Sequence, residues 1–167
     1  MIREISEINI VNTDEKFCNK SMNRDSNTII TEIEFKRNGI DETRYVLEMR
    51  DDNVSIFIAF EKDGGNTSVI KFEKNQPKLI CDFPLIGTED FPFPVIISSP
   101  DFNPTEPRDG VFLVCKNMSN IDNIVGVNRD IISRACTLYG NLLKYISGKR
   151  WGGIYNVTKI SSYHNKG

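Results

Sequence analysis

Hydrophobic positions alternate with polar ones through much of the first hundred residues, and a period of two marks strands with one face turned to a core. In Thr28–Lys36, Ile33 and Phe35 fall on one face and Glu32, Glu34 and Lys36 on the other. Arg37-Asn38-Gly39 supplies a turn, Thr43–Met49 follows with Tyr45 and Leu47 in phase, and Asp51-Asp52-Asn53 breaks the run. Val54–Glu61 sets Ile56, Ile58 and Phe60 against Ser55, Phe57 and Ala59, and Gly64-Gly65 turns the chain into Ser68–Glu73. Ile2–Val11 alternates as well. Together these segments predict an antiparallel, strand-rich meander over residues 1–76, with one face on a core and the other open to water or a further layer.

The pattern changes over residues 77–127. Lys78–Leu85 and Phe93–Ser98 read as short apolar strands, and Val111–Cys115 as a returning one. Around them stand Pro84, Pro92, Pro94, Pro100, Pro104 and Pro107, which fix φ and remove backbone donors, so ordered loops at strand ends are expected. Over residues 128–167 the period becomes helical. Ile131, Ile132, Ala135, Leu138, Tyr139, Leu142, Leu143 and Ile146 make one broad face, with Asn128 as N-cap and Gly148 as the stop. Trp151, Ile154, Tyr155 and Val157 suggest a final strand. The predicted fold is a single α+β domain over residues 1–167 in two layers, its one long amphipathic helix packed on the sheet.

Composition narrows the chemistry. A chain of 167 residues with 39% hydrophobic and 26% charged residues is of ordinary globular make-up and needs no disulfide or metal staple. No apolar run is long enough to span a membrane, and charges interrupt MIREISEINIVNTDEKF too often for a signal peptide, so a cytoplasmic protein is expected. The four cysteines, Cys18, Cys81, Cys115 and Cys136, form no CxxC pair, and the single histidine, His164, lies in the polar tail; zinc and histidine-based catalysis are not expected. Neither GxxxxGK[ST] nor GxGxxG occurs, and Gly64-Gly65 reads as a hairpin turn. No cofactor is therefore expected in this chain. Formal charge is −2, which gives no general attraction to nucleic acid, but residues 128–167 hold seven Lys/Arg against one acid, +6, leaving −8 for the rest.

The most distinctive stretch runs from Cys81-Asp82-Phe83-Pro84-Leu85-Ile86-Gly87-Thr88 through Pro94-Val95-Ile96-Ile97 to Phe102-Asn103-Pro104-Thr105-Glu106-Pro107-Arg108-Asp109-Gly110. It resembles the segment that follows the GHKL nucleotide-binding domain in sacsin-like and bacterial relatives of heat-shock protein 90. The likeness covers roughly residues 78–157, the helix and Trp151-x-x-Ile154-Tyr155 included. The resemblance implies a chaperone middle-domain-like coupling unit, partnered with a GHKL domain in the same or another chain and possessing no nucleotide site of its own. ATP and magnesium would be held by that neighbour, and a client protein is a further implied partner. In the chaperones an arginine from a middle-domain loop reaches the γ-phosphate; the matching position is Arg108, with Thr105, Glu106 and Asp109 as supporting residues. Arginine stays charged and offers forked donors to phosphate oxygens. Those proteins carry an Asn just before the arginine, where this chain has Pro104-Thr105-Glu106-Pro107.

Arg108 also has a plain reading, as part of an Arg-Asp-Gly turn in which Arg108 pairs with Asp109 and Gly110 takes the positive φ. Two rival functions stand beside the coupling domain. One is a protein- or RNA-interaction module using the basic C-terminal third. The other is an autonomous hydrolase built on Glu89-Asp90 or Glu106/Asp109, which the usual solvation of acidic loop pairs disfavours.

Overall fold

The computed structural model describes residues 7–10, 15–37, 39–113 and 122–158. Nine strands form one sheet in the order β1-β2-β3-β4-β5-β9-β7-β8, with β6 also paired to β5. They are β1 (Glu7–Ile10), β2 (Glu15–Asp25), β3 (Thr28–Arg37), β4 (Ile40–Asp51), β5 (Val54–Asp63), β6 (Asn66–Ile70), β7 (Leu79–Cys81), β8 (Phe83–Pro84) and β9 (Ile96–Ser98). One long helix, α1 (Asp122–Gly148), crosses the sheet, and a 3-10 turn over Ile154–Val157 ends the described chain. The α+β, helix-on-sheet architecture expected from the sequence is the observed one.

Strands β1 to β6 form the antiparallel meander, and each face of it follows from the pleat. Register places Leu47 opposite Ile58, Met49 opposite Ile56, Ile56 opposite Ile97 and Ile97 opposite Leu79. This apolar row lies in one core cluster with Ile131, Ala135, Leu138, Leu142 and Ile146 of α1. The helix keeps its place partly through Arg134, which donates to the Asp51 carbonyl at 2.7 Å and to Asn53 Oδ1 at 2.9 Å in the β4–β5 turn. The other face is buried at its centre too: Phe57 and Ile96 are neighbours across β5–β9, and Ser55 Oγ donates to the buried Glu48 Oε1 at 2.7 Å.

Several expectations are corrected. Lys78–Leu85 is two short strands: the chain folds back at Asp82 (φ 57°), pairing Ile80 with Pro84 and Cys81 with Phe83. Strand β7 then runs parallel to β9, the one parallel pair among the described strands. The helix begins at Asp122, so Asn128 is interior and not its N-cap. Of the proposed return strand Val111–Cys115, Val111 makes an isolated bridge to Pro104, while Cys115, like His164, lies outside the described residues. Residues 151–157 do not form a strand. Gly152 makes one parallel bridge to Ser68, and Gly153 (φ 67°), packed where a Cβ would collide with the Val69 carbonyl oxygen, turns the chain out of the sheet into the 3-10 turn.

Candidate functional site

The segment from Cys81 to Leu113 packs as one unit at the β7–β8 end of the sheet. Leu85 is fully buried, and Thr88 organises the turn around it. Thr88 Oγ1 donates to the Leu85 carbonyl at 2.7 Å and accepts from the backbone N–H groups of Lys78 and Leu79, each at 3.1 Å. Glu89 accepts the Gly87 N–H at 2.9 Å, which closes the tip. Gly87 has φ 111°, and a Cβ there would stand 2.9 Å from the Asp109 carbonyl oxygen. Only glycine lets the two loops approach this closely.

The Arg108 loop closes on itself and is clamped at its base. Thr105 N donates to the Gly110 carbonyl at 2.9 Å, Thr105 Oγ1 donates to Asp109 Oδ1 at 2.7 Å, and Arg108 N donates to the Thr105 carbonyl at 2.5 Å. Below, the fully buried Asn128 of α1 accepts the Asn103 N–H at 2.8 Å. Its amide nitrogen donates to the Asn103 carbonyl at 2.9 Å and the Phe112 carbonyl at 3.0 Å. Arg129 Nε adds a bond of 2.8 Å to the Leu113 carbonyl. The helix thus holds both ends of the loop. Sequence reading missed this role of Asn128; the signal was a polar residue on the apolar stripe, in phase with the buried Val125, Ile131 and Ala135.

The tip, Glu106 to Asp109, is exposed. Arg108 has φ 72°, a left-handed conformation that costs a side chain with Cβ about 1–2 kcal/mol. It is Arg108, and not Gly110, that takes the positive φ in this turn. The guanidinium donates through one terminal nitrogen to the Cys81 carbonyl at 3.1 Å, and no carboxylate of the described residues pairs with it. Asp109 is bonded to Thr105 instead, and Glu106 points no hydrogen bond at the loop among the described residues. The structure therefore brings Thr105, Arg108 and Asp109 into one loop while leaving most of the five guanidinium donors open to solvent. Beneath it, burial and then the Asp82 carboxylate push the Cys81 thiol above its usual range, with the Arg108 charge acting in the opposite direction.

Other features lie elsewhere. A wide-mouthed cavity of about 440 Å³ between β2, β3 and β4 is lined by Lys16, Glu34, Lys36, Asp41 and Glu42 among others, carrying charges of both signs. Among the described residues no group of three or more His, Cys, Asp or Glu is placed to hold a metal ion, and no helix is long and apolar enough to cross a membrane. Compared with known proteins, the chain matches no family model, no curated protein and no solved structure.

Proposed function

We propose that the chain is a coupling domain of the heat-shock protein 90 and sacsin type. It would present Arg108 to the γ-phosphate of ATP held by a GHKL nucleotide domain, in the same chain or a partner. The observation that carries the reading is the state of Arg108: exposed, on a braced loop, with no carboxylate among the described residues paired with it. Positive φ alone does not set Arg108 apart, since Ser26, Asp52, Asp82 and Arg150 take it too; the weight rests on the open guanidinium. An exposed guanidinium on a braced loop with most of its donors unspent is what a site for an anion needs. In the coupling domain Thr105 and Asp109 hold the loop's shape, and ATP and magnesium remain the business of the neighbour.

The interaction module based on the basic C-terminal third draws less support. Arg129 and Arg134 spend their side chains on bonds within the fold, to Leu113 and to the Asp51–Asn53 turn.

The experiment is ATP turnover of a sacsin-like GHKL nucleotide domain with and without this chain. Turnover should rise when the chain is added, and Arg108→Ala should remove the rise. Arg108→Lys should restore little of it, since an ammonium offers no fork to the phosphate. Equal turnover with and without the chain, while the nucleotide domain still binds ATP, refutes the reading.

A further inference from the structure

The β2–β3 and β4–β5 hairpins reach the same end of the sheet, and each turns tightly through a residue of positive φ, Ser26 (46°) and Asp52 (52°). Arg50 N donates to the Asn27 carbonyl at 2.8 Å, which ties the two turns together. Register then decides where two arginines stand. Arg24 lies opposite Ile29, Ile29 lies opposite Glu48, and Arg50 follows Glu48 by two residues on the same strand. All four therefore share the face of the sheet turned away from α1. On that face is a cavity of about 230 Å³, lined by the buried Ile29 together with Arg24, Arg50, Ser26, Asn27 and Asp52.

Two guanidinium groups around one cavity repel each other unless a negative group stands between them. Arg50 is half-buried, and its Nε donates to the Asp52 carbonyl at 2.6 Å, which fixes the group and leaves its terminal nitrogens without hydrogen bonds to the described residues. Arg24 makes no hydrogen bond or ion pair to any described residue. The neighbouring acids are engaged elsewhere: Asp51 pairs with Arg134, and the buried Glu48 accepts from Ser55 Oγ at 2.7 Å. Asp52 is the one carboxylate lining the cavity, so a ligand must offer oxygens in fork geometry and not charge alone, which favours an oxyanion over chloride. We propose that this cavity binds a phosphate dianion, gripped between the Arg24 and Arg50 forks, with the Ser26 hydroxyl and the Asn27 amide as further donors. At about 230 Å³ it falls below the roughly 300–1,000 Å³ of sites for drug-sized ligands, so its occupant is free phosphate or the phosphate end of a small ester, not a whole nucleotide. The site shares no residue with the Arg108 loop and does not depend on the coupling reading.

The test is a titration of the isotopically labelled full chain with inorganic phosphate, followed by NMR at the backbone amides and the arginine Nε–H groups. Chloride balances the ionic strength, so that screening stays constant. Saturable shifts at Arg24, Asn27 and Arg50 are expected. Arg24 is exposed, so Arg24→Gln should fold as the wild type does, which circular dichroism checks, and should bind phosphate roughly tenfold more weakly. Arg50→Lys keeps the charge but not the fork and should lose a similar factor. Arg108→Gln should leave the shifts unchanged, which separates this site from the coupling loop. Glycerol phosphate, titrated beside inorganic phosphate, identifies the source: tighter binding of the ester means phosphate carried on an organic molecule, and tighter binding of the free ion means phosphate itself. The ester should also bind more weakly below about pH 6, where it takes up its second proton and ceases to be a dianion. If phosphate gives no saturable shift at Arg24 and Arg50, if chloride alone gives the same shifts, or if Arg24→Gln binds as the wild type does, the inference is overturned while the coupling function is untouched.

Discussion

Asn128 treats Asn103 as one β-strand treats another: its side-chain oxygen accepts the Asn103 N–H at 2.8 Å while its amide nitrogen donates to the Asn103 carbonyl at 2.9 Å. A third bond, to the Phe112 carbonyl at 3.0 Å, ties the same side chain to the returning limb of the loop. Asn128 is fully buried, so water has no access to replace these bonds when the side chain is lost.

Asn128→Ala should therefore cost about 2–3 kcal/mol in urea denaturation, the penalty of leaving buried backbone groups without partners. Asn128→Asp keeps the acceptor and the shape but loses both donors, and should also destabilise. Either variant should loosen residues 103–112 more than the helix itself. Amide hydrogen exchange that quickens in the loop while α1 and β5 stay protected is the expected pattern.

Gly87 offers a second way to release the loop. Its φ of 111° is poor for any side chain, and a Cβ would press on the Asp109 carbonyl oxygen at 2.9 Å and Cβ at 3.0 Å. Gly87→Ala should cost about 2–3 kcal/mol, from backbone strain plus displacement of the loop. Gly64 has φ 54° with nothing within 4 Å of its Cβ position, so Gly64→Ala should cost only about 1 kcal/mol. Comparing the two by denaturation midpoint separates the clash from the strain.

The parts of the fold legible in the sequence are those whose own side chains carry the period. Ile56, Ile58 and Phe60 declare β5, and the stripe from Ile131 to Ile146 declares α1. Strand β2, EKFCNKSMNRD, carries no such period; it is a strand because it pairs with β3 along its length, across an irregularity between Asn19 and Ser21. Partner-imposed structure of this kind leaves little trace in composition. By type, Asn128 signals a cap, because helix starts favour asparagine and interiors disfavour it. Only the tertiary demand of Asn103 and Phe112 overrides that preference. At the arginine loop the sequence offers Asp109 and Glu106 as partners of Arg108, whereas in the fold Thr105 holds Asp109 and Arg108 donates to the Cys81 carbonyl, a pairing across 27 residues that no local pattern announces.

Tyr139 links the helix to the end of the chain, its hydroxyl donating to the Val157 carbonyl at 2.5 Å. Burial holds this phenol above its ordinary ionisation range, so the folded state keeps a proton that the unfolded chain releases near pH 10. The sign follows: its contribution is complete below the unfolded value and is lost as pH rises through the higher folded value. At neutral pH Tyr139→Phe should be about 1 kcal/mol less stable than wild type, for one lost hydrogen bond. Above pH 10 that gap should narrow, because the unfolded wild-type chain releases the Tyr139 proton there while the folded chain holds it, and the variant has no such proton. Urea denaturation of both proteins from pH 7 to 11 measures it, and a gap that stays constant would show that the hydroxyl is not protected from titration.

Arg108→Gly sets stability against function most directly. Glycine adopts φ 72° without the Cβ penalty, whereas alanine keeps the strain and, like glycine, loses the bond to the Cys81 carbonyl. The glycine variant should thus be about 1 kcal/mol more stable than Arg108→Ala, a difference readable as a shift in denaturation midpoint. Both variants should fail equally to stimulate a GHKL domain, since neither has a guanidinium to offer. A coupling residue predicts this pairing of better folding with lost activity, as strain at a working site is commonly relieved at the expense of the work. A turn residue predicts the stability gain with stimulation untouched. The two measurements on these two variants therefore decide whether the left-handed arginine is there for its backbone or for its charge.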